Sequence, residues 1–453
     1  MSRKSSPNPF EQTLEKALEP IASVVKRTAG VAAKPAPEAP GKPGLAVSPL
    51  AVPLPEIGVI GGVEIATARA GFYAHDRHDL VVMRFRKGTS CAGVFTRHQV
   101  GSAPVDWCRR HLTDGHGEAR ALVVNAGCAN AFTGRLGADA ARRTAAEIAK
   151  RFGCRQRDVM LASTGVIGVV LDEKKIIARL PAIEQGLSPE GWPDAARAIM
   201  TTDTFPKAAV AECRIDGVRV RVAGVAKGSG MIAPDMATML AFIVTDADIA
   251  PGVLHTLLSL HVRTTFNSVT VDGDTSTNDT ALLFATGASG APRIARVGDR
   301  RLKDFARALD EVMLKLAHML VRDGEGARKF VRVTVDGARS PASARRLAKA
   351  IAESPLVKTA LAGEDANWGR IVMAVGKTDE PIDRERIGVS FGPHALARDG
   401  APVAGIDVAA LDDYMKRDEI EIGVFVGEGR ASATVWTCDL TKGYIEINGD
   451  YRS

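Results

Sequence analysis

Residues 218–244 constrain what this chain can fold into more than any other stretch. Val218-Arg219-Val220-Arg221-Val222 alternates apolar with basic, and residues 239–244 are apolar throughout. A period of two marks a half-buried strand, and a short unbroken apolar run fits a strand buried on both faces. Between them lie Lys227-Gly228-Ser229-Gly230-Met231 and the turn signal Pro234-Asp235. Two core strands are therefore joined by a polar, glycine-rich loop at the end of a sheet. Thr238 opens the second strand. That setting suits cleavage of the Ala237–Thr238 bond by the protein itself: the Thr238 hydroxyl attacks the preceding carbonyl, passes through an ester and leaves a free α-amine on Thr238. Such a residue carries nucleophile and base together, because an α-amine with a pKa of about 7.7–8.0 can take the hydroxyl proton near neutral pH. A threonine entering a strand is ordinarily just a strand residue. Spacing alone leaves both readings open.

Composition narrows the alternatives. The 453 residues suffice for a sizeable core and two domains or one large one. Formal net charge is +6, the arginines are scattered in pairs, and aromatic residues make up 5%, so nucleic-acid binding has no footprint. Cys91, Cys108, Cys128, Cys154, Cys213 and Cys438 form no Cys-x-x-Cys pair and read as reduced thiols. Nine dispersed histidines show no metal-ligand spacing, so no metal is expected. No apolar run reaches the roughly 18 residues of a membrane span. Glu11, Glu15 and Glu19 argue against a transit peptide. These features point to a cytoplasmic protein.

Residues 1–48 read as a flexible N-terminal extension. Phe10, Leu14, Leu18, Ile21 and Val25 recur at helical spacing, Pro20 interrupts them, and a proline-rich linker follows over 33–44. Strands are expected over 80–85, 121–125, 159–162, 218–225, 239–244, 266–271, 281–284, 330–335, 419–426, 431–438 and 444–447. Helical periodicity is clearest over 138–151, 300–321 and 341–352. Strands and helices do not alternate regularly, which disfavours a dinucleotide-binding layout and favours a layered α/β sandwich with an antiparallel or mixed sheet.

Further blocks carry candidate chemistry. Ser163-Thr164-Gly165 follows a strand, where the Thr164 hydroxyl and Gly165 N–H can converge on one oxygen as an oxyanion hole requires, although a plain strand-to-turn connection has the same look. Lys227 precedes glycines without the phosphate-loop pattern, and a lysine near a nucleophile suits a substrate carboxylate. Glu325 stands between Gly324 and Gly326, where small neighbours allow close approach. The loop from Asp272 to Asp279 fails as a calcium loop because Thr277 holds the glycine position, which leaves Asp279 as a supporting residue.

These blocks, with Met200-Thr201-Thr202-Asp203-Thr204 and Gly363-Glu364-Asp365-Ala366-Asn367-Trp368-Gly369-Arg370, resemble the ornithine acetyltransferase (glutamate N-acetyltransferase) family from about residue 59 to Ser453. The resemblance implies an αββα-like sandwich of the N-terminal-nucleophile type with a second, smaller domain. It also implies self-cleavage into an α chain (49–237) and a β chain (238–453), paired as a heterotetramer. By resemblance Thr238 is the nucleophile, Thr164 and Gly165 hold the oxyanion, and Thr201, Lys227, Thr238, Glu325, Asn448 and Ser453 bind substrate. The activity implied is acetyl transfer from N2-acetylornithine to glutamate in arginine biosynthesis, without a cofactor. Some members also take acetyl from acetyl-CoA, and no motif here decides that. Departures stand at Ala126, Cys128 and Arg328, and Ser453 replaces the commoner threonine. The alternatives are a self-processing aminopeptidase or amidase with water as acceptor, or an unprocessed binding protein.

Overall fold

The structure is a computed structural model that describes residues 46–233 and 239–449. The helix and linker expected within residues 1–45 lie outside the described residues. Ser48 is already tied to the body, its N–H donating to Thr204 Oγ1 (2.9 Å) and its hydroxyl to the Arg322 carbonyl (2.6 Å).

Among the described residues, eight strands form one mixed sheet: β1 (Val63–Ala68), β2 (Leu80–Phe95), β3 (His116–Asn125), β4 (Val159–Ser163), β5 (Lys207–Ile215), β6 (Val218–Lys227), β7 (Leu240–Thr245) and β8 (Thr280–Ala285). The order is β4-β3-β2-β8-β7-β6-β5, with β1 on β2. Only the β3–β4 and β7–β8 pairs run parallel. The β5–β6 hairpin turns at Asp216-Gly217, both at positive φ (47° and 80°), as a two-residue turn matched to strand twist requires.

Strand β2 spans two halves of the sheet. Its pairing with β3 is irregular between Arg84 and Thr89, where Gly88 takes φ +83°. The first half carries β1, while Ser90 to Phe95 pair with β8. Phe85 stacks on Phe284 of β8 with ring centroids 4.3 Å apart, so the halves meet across a shared apolar core. Helices Ala103–His111 and Gly134–Phe152 pack against β4, and helices Pro251–Val262 and Leu302–Arg322 cover the opposite outer face. This is the layered α/β sandwich expected from the sequence. The long helix presents Phe305, Leu309, Val312, Met313, Leu316 and Leu320 to β5 and β6. Leu316→Ala there is expected to cost about 2–5 kcal/mol. The helix ends at Arg322 and so delivers Asp323 and Glu325 to the sheet edge.

A second, six-stranded sheet forms the smaller unit, in the order β12-β11-β10-β13-β9-β14. Its strands are β9 (Phe330–Ala338), β10 (Gly388–Phe391), β11 (His394–Arg398), β12 (Ala401–Pro402), β13 (Glu419–Phe425) and β14 (Ala431–Cys438). Helix Pro341–Ala352 buries Leu347 and Ile351 against β9 and β14.

Two sequence expectations are corrected. Residues 444–447 are not a strand but belong to helix Lys442–Gly449. Residues 266–271 hold a single 3-10 turn, Phe266–Ser268, and one isolated bridge from Val269 to Trp436. Both segments are rich in β-branched or aromatic residues, and in both tertiary contacts override that preference.

Candidate active site

The parallel strands β3 and β4 end side by side, and the chain beyond them is fixed by hydrogen bonds. Ser163 Oγ donates to Asn125 Oδ1 (2.6 Å), Asn125 Nδ2 to the Cys128 carbonyl (2.9 Å), and the Thr164 N–H to the Asn125 carbonyl (3.0 Å). Asn278 Nδ2 donates to both the Ser163 and Ala129 carbonyls, at 2.8 and 2.6 Å. Gly165 takes φ +126°, and a Cβ there would lie 2.3 Å from the Gly127 carbonyl carbon. Only glycine fits. The turn is thus built by close backbone packing rather than by loop length.

Thr164 and Gly165 open onto a cavity of about 250 Å³, together with Thr201, Lys227, Glu325 and Asn448. Six residues drawn from five separate stretches of the sequence converge there. Lys227 Nζ donates to Thr164 Oγ1 at 2.9 Å, which leaves the threonine its own hydrogen to offer a ligand. Burial pushes the Lys227 ammonium below its usual pKa. Asp203, Asp279 and Glu325 act against that, and Lys207 adds to it.

Glu325 is held by its neighbours. A Cβ on Gly230 would fall 2.5 Å from the Glu325 carboxylate, one on Gly324 would fall 2.8 Å from Cys438 Sγ, and one on Gly326 would fall 2.6 Å from the Tyr444 amide nitrogen. Asn448 Nδ2 donates to Glu325 Oε2 (2.6 Å) and to the Tyr444 carbonyl (3.0 Å). The C-terminal helix is therefore what brings Asn448 to the cavity. On the same helix Tyr444 donates weakly to Asp272 Oδ2 (3.4 Å), whose carboxylate accepts the Met231 and Ile232 amides at 2.5 and 2.8 Å.

Ala237, Thr238 and Ser453 lie outside the described residues. The flanks of the first two are anchored: Thr275 Oγ1 donates to the Ala233 carbonyl (3.3 Å), and the Thr280 N–H to the Met239 carbonyl (3.0 Å). Met239 lines the cavity.

Asp279 also lines the cavity, and its carbonyl accepts the Thr96 N–H (3.0 Å). Ala126, Cys128 and Arg328 do not line it. Arg328 turns its guanidinium to the Ala362 carbonyl (2.9 Å), so that departure leaves the cavity wall untouched. Among the described residues no group of His, Cys, Asp or Glu is placed to hold a metal ion, and no helix is long and apolar enough to cross a membrane.

Sequence reasoning missed Asp203, Lys207 and Asp323. Lys207 is fully buried and pairs with both aspartates. Burial resists the charge on Asp203, yet Lys207, Lys227 and the Gly228 N–H hold its carboxyl well below the usual range. Asp203 lay within a recognised block, but nothing in a sequence marks a lysine four residues on as buried.

A family model described as the ArgJ family matches residues 64–453. The chain belongs to the ArgJ family. It is 67% identical over 403 residues to the arginine biosynthesis bifunctional protein ArgJ of Caulobacter vibrioides, covering 89% of this chain and 100% of that one. It is 54% identical over 409 residues to the Gluconobacter oxydans ArgJ, covering 90% and 96%. A crystal structure of the Bacillus halodurans ArgJ aligns at 39% identity with a TM-score of 0.46, over 47% of this chain and 100% of that one. Membership of the ArgJ family makes the chain an acetyltransferase of arginine biosynthesis.

Proposed function

We propose that the chain cleaves itself between Ala237 and Thr238 and then moves acetyl from N2-acetylornithine to glutamate through an ester on Thr238. The observation that carries this reading is the convergence of Thr164, Gly165, Thr201, Lys227, Glu325 and Asn448 on one cavity whose wall continues into Met239, the residue after Thr238. The freed Thr238 amine takes the hydroxyl proton as its oxygen attacks the acetyl carbonyl. The Thr164 hydroxyl and Gly165 N–H stabilise the oxyanion. The C–N bond then breaks, the amine returns the proton to the departing nitrogen, and ornithine leaves an acetyl ester. Glutamate's amine attacks that ester and regenerates Thr238. Lys227 suits the α-carboxylate common to both substrates, and Glu325 the side-chain ammonium of ornithine. Acetyl-CoA as a second acetyl donor would reach the same ester. No cofactor enters.

Strands β7 and β8 follow Thr238 in sequence yet lie between β2 and β6 in the sheet. Cleavage would thus give α and β chains that stay interleaved, and we place two of each in a cytoplasmic heterotetramer. Intact-mass analysis of the wild type beside Thr238→Ala tests the reading. Two masses dividing at Ala237–Thr238 in the wild type alone, with ping-pong transfer from acetylornithine to glutamate, support it. An uncut wild type without transfer sinks it.

A further inference from the structure

The three predicted substrate residues Thr201, Lys227 and Glu325 sit on separate stretches of chain, and the backbone at or beside each is tied to one buried charge cluster. Asp203 Oδ1 accepts the Gly228 N–H (2.7 Å), immediately after Lys227, and the Lys207 ammonium (2.6 Å). Asp203 Oδ2 accepts the Thr201 N–H (2.9 Å). Lys207 pairs on its other side with Asp323, which also accepts the Thr204 N–H (2.9 Å). The Asp323 carbonyl accepts the Ser229 hydroxyl, and the Glu325 N–H returns to the Ser229 carbonyl (3.2 Å). The side chains of Asp203 and Lys207 are fully buried, as is that of Asp323.

We propose that Asp203 is a positioning residue: with Lys207 and Asp323 it locks Thr201, Lys227 and Glu325 into one rigid substrate-binding face, and it makes Lys227 the counter-charge of the cluster. The bonds supply the rigidity. The charge argument starts from one ammonium between two carboxylates: burial and the Asp203 charge push the Asp323 carboxyl up against the pull of Lys207 and the Thr204 hydroxyl, while Asp203 is held low by Lys207 and by Lys227. A buried cluster left with an unmatched charge is costly, so the Asp203 carboxylate acts against the burial that lowers the Lys227 pKa. The other groups acting on Lys227 are Asp279, Lys207 and Glu325, with Thr164 Oγ1 as its hydrogen-bond acceptor. What Lys227 binds rests on the acetyltransferase reading, whereas the coupling of Asp203 to Lys227 does not.

Two variants separate charge from geometry. Asp203→Asn removes the charge at nearly constant shape, and Asp203→Glu keeps the charge but lengthens the arm. The readouts are the titration of the Lys227 ε-carbon in lysine-labelled protein, assigned by its loss in Lys227→Arg, and the pH profile of kcat/KM. Asp203→Asn is expected to move the Lys227 titration, and with it the alkaline limb of kcat/KM, to lower pH. Asp203→Glu is expected to leave the titration in place while KM rises on the order of tenfold and kcat changes little. A Lys227 titration unmoved in Asp203→Asn, or an unchanged KM in Asp203→Glu, would overturn the proposal. Should Asp203→Asn fail to fold, Asp203→Glu alone decides it. If wild-type protein transfers no acetyl group but the titration shift appears, the functional reading fails and the coupling stands.

Discussion

Lys227 donates from Nζ to Thr164 Oγ1 across 2.9 Å, joining the residue suited to a substrate carboxylate to the residue suited to the oxyanion. A charged donor strengthens a hydrogen bond, and a hydroxyl that accepts one becomes a better donor in turn. The two residues therefore act as a unit. Thr164→Ala is expected to lower kcat by roughly 10²–10³, the usual cost of losing one oxyanion donor. Thr164→Ser, which keeps the hydroxyl, should lose far less. Equal losses in the two variants would remove the hydroxyl from the mechanism.

Gly165 tests the backbone half of that site. At φ +126° with the Gly127 carbonyl carbon 2.3 Å from the position of a Cβ, no larger residue fits without moving the strand ends. Gly165→Ala is expected to cost roughly 2–5 kcal/mol through strain and overpacking, and to displace the N–H from the cavity. Urea unfolding beside an activity assay checks both. A variant as stable and active as wild type would mean that this turn relaxes freely.

Glu325 and Asn448 line the same cavity, linked at 2.6 Å. Glu325→Gln keeps the shape and removes the charge. If the carboxylate faces the ornithine side-chain ammonium, KM for acetylornithine rises by about tenfold or more, since one such contact is worth roughly 1.4 kcal/mol or more. KM for glutamate, which lacks that ammonium, should not rise with it. Parallel changes in both constants would place Glu325 elsewhere in the cycle.

Much of this site was legible because backbone demands leave a trace in sequence. Gly165, Gly324 and Gly326 each stand where a Cβ would collide, and all three flank a residue singled out from sequence. Strands β4, β7 and β8 read correctly because their apolar runs fit two-sided burial, whereas β1, β5 and the second half of β2 went unread. The C-terminal helix was illegible because Tyr444-Ile445-Glu446-Ile447 alternates like a strand. What decides it is the close packing of Gly443 on Gly326 and the reach of Asn448 to Glu325, contacts made 115 residues or more away in sequence. The Asp203–Lys207–Asp323 cluster was hidden likewise, since charged residues in sequence default to the surface.

His318 gives the fold an acid weakness. Its ring lies between Phe330 and Trp436, with centroids 5.2 and 4.7 Å away, and its Nε2 has no hydrogen-bond partner among the described residues. Burial, reinforced by the Arg322 charge, lowers its pKa from 6.5 to about 4, with Glu419 opposing. The folded state therefore keeps His318 neutral while the unfolded chain takes up a proton below about pH 6.5. Stability is fully present above that pH and falls as pH drops toward 4, below which both states are protonated and the loss stops. At 1.36 kcal/mol per unit, the loss across the window is on the order of 3 kcal/mol. His318→Phe keeps an aromatic ring in the slot and removes the proton. Urea unfolding at about pH 7 and pH 4.5 should show the wild type losing about 2–3 kcal/mol more than this variant. An identical loss in both proteins would mean that the ring reaches water before it titrates.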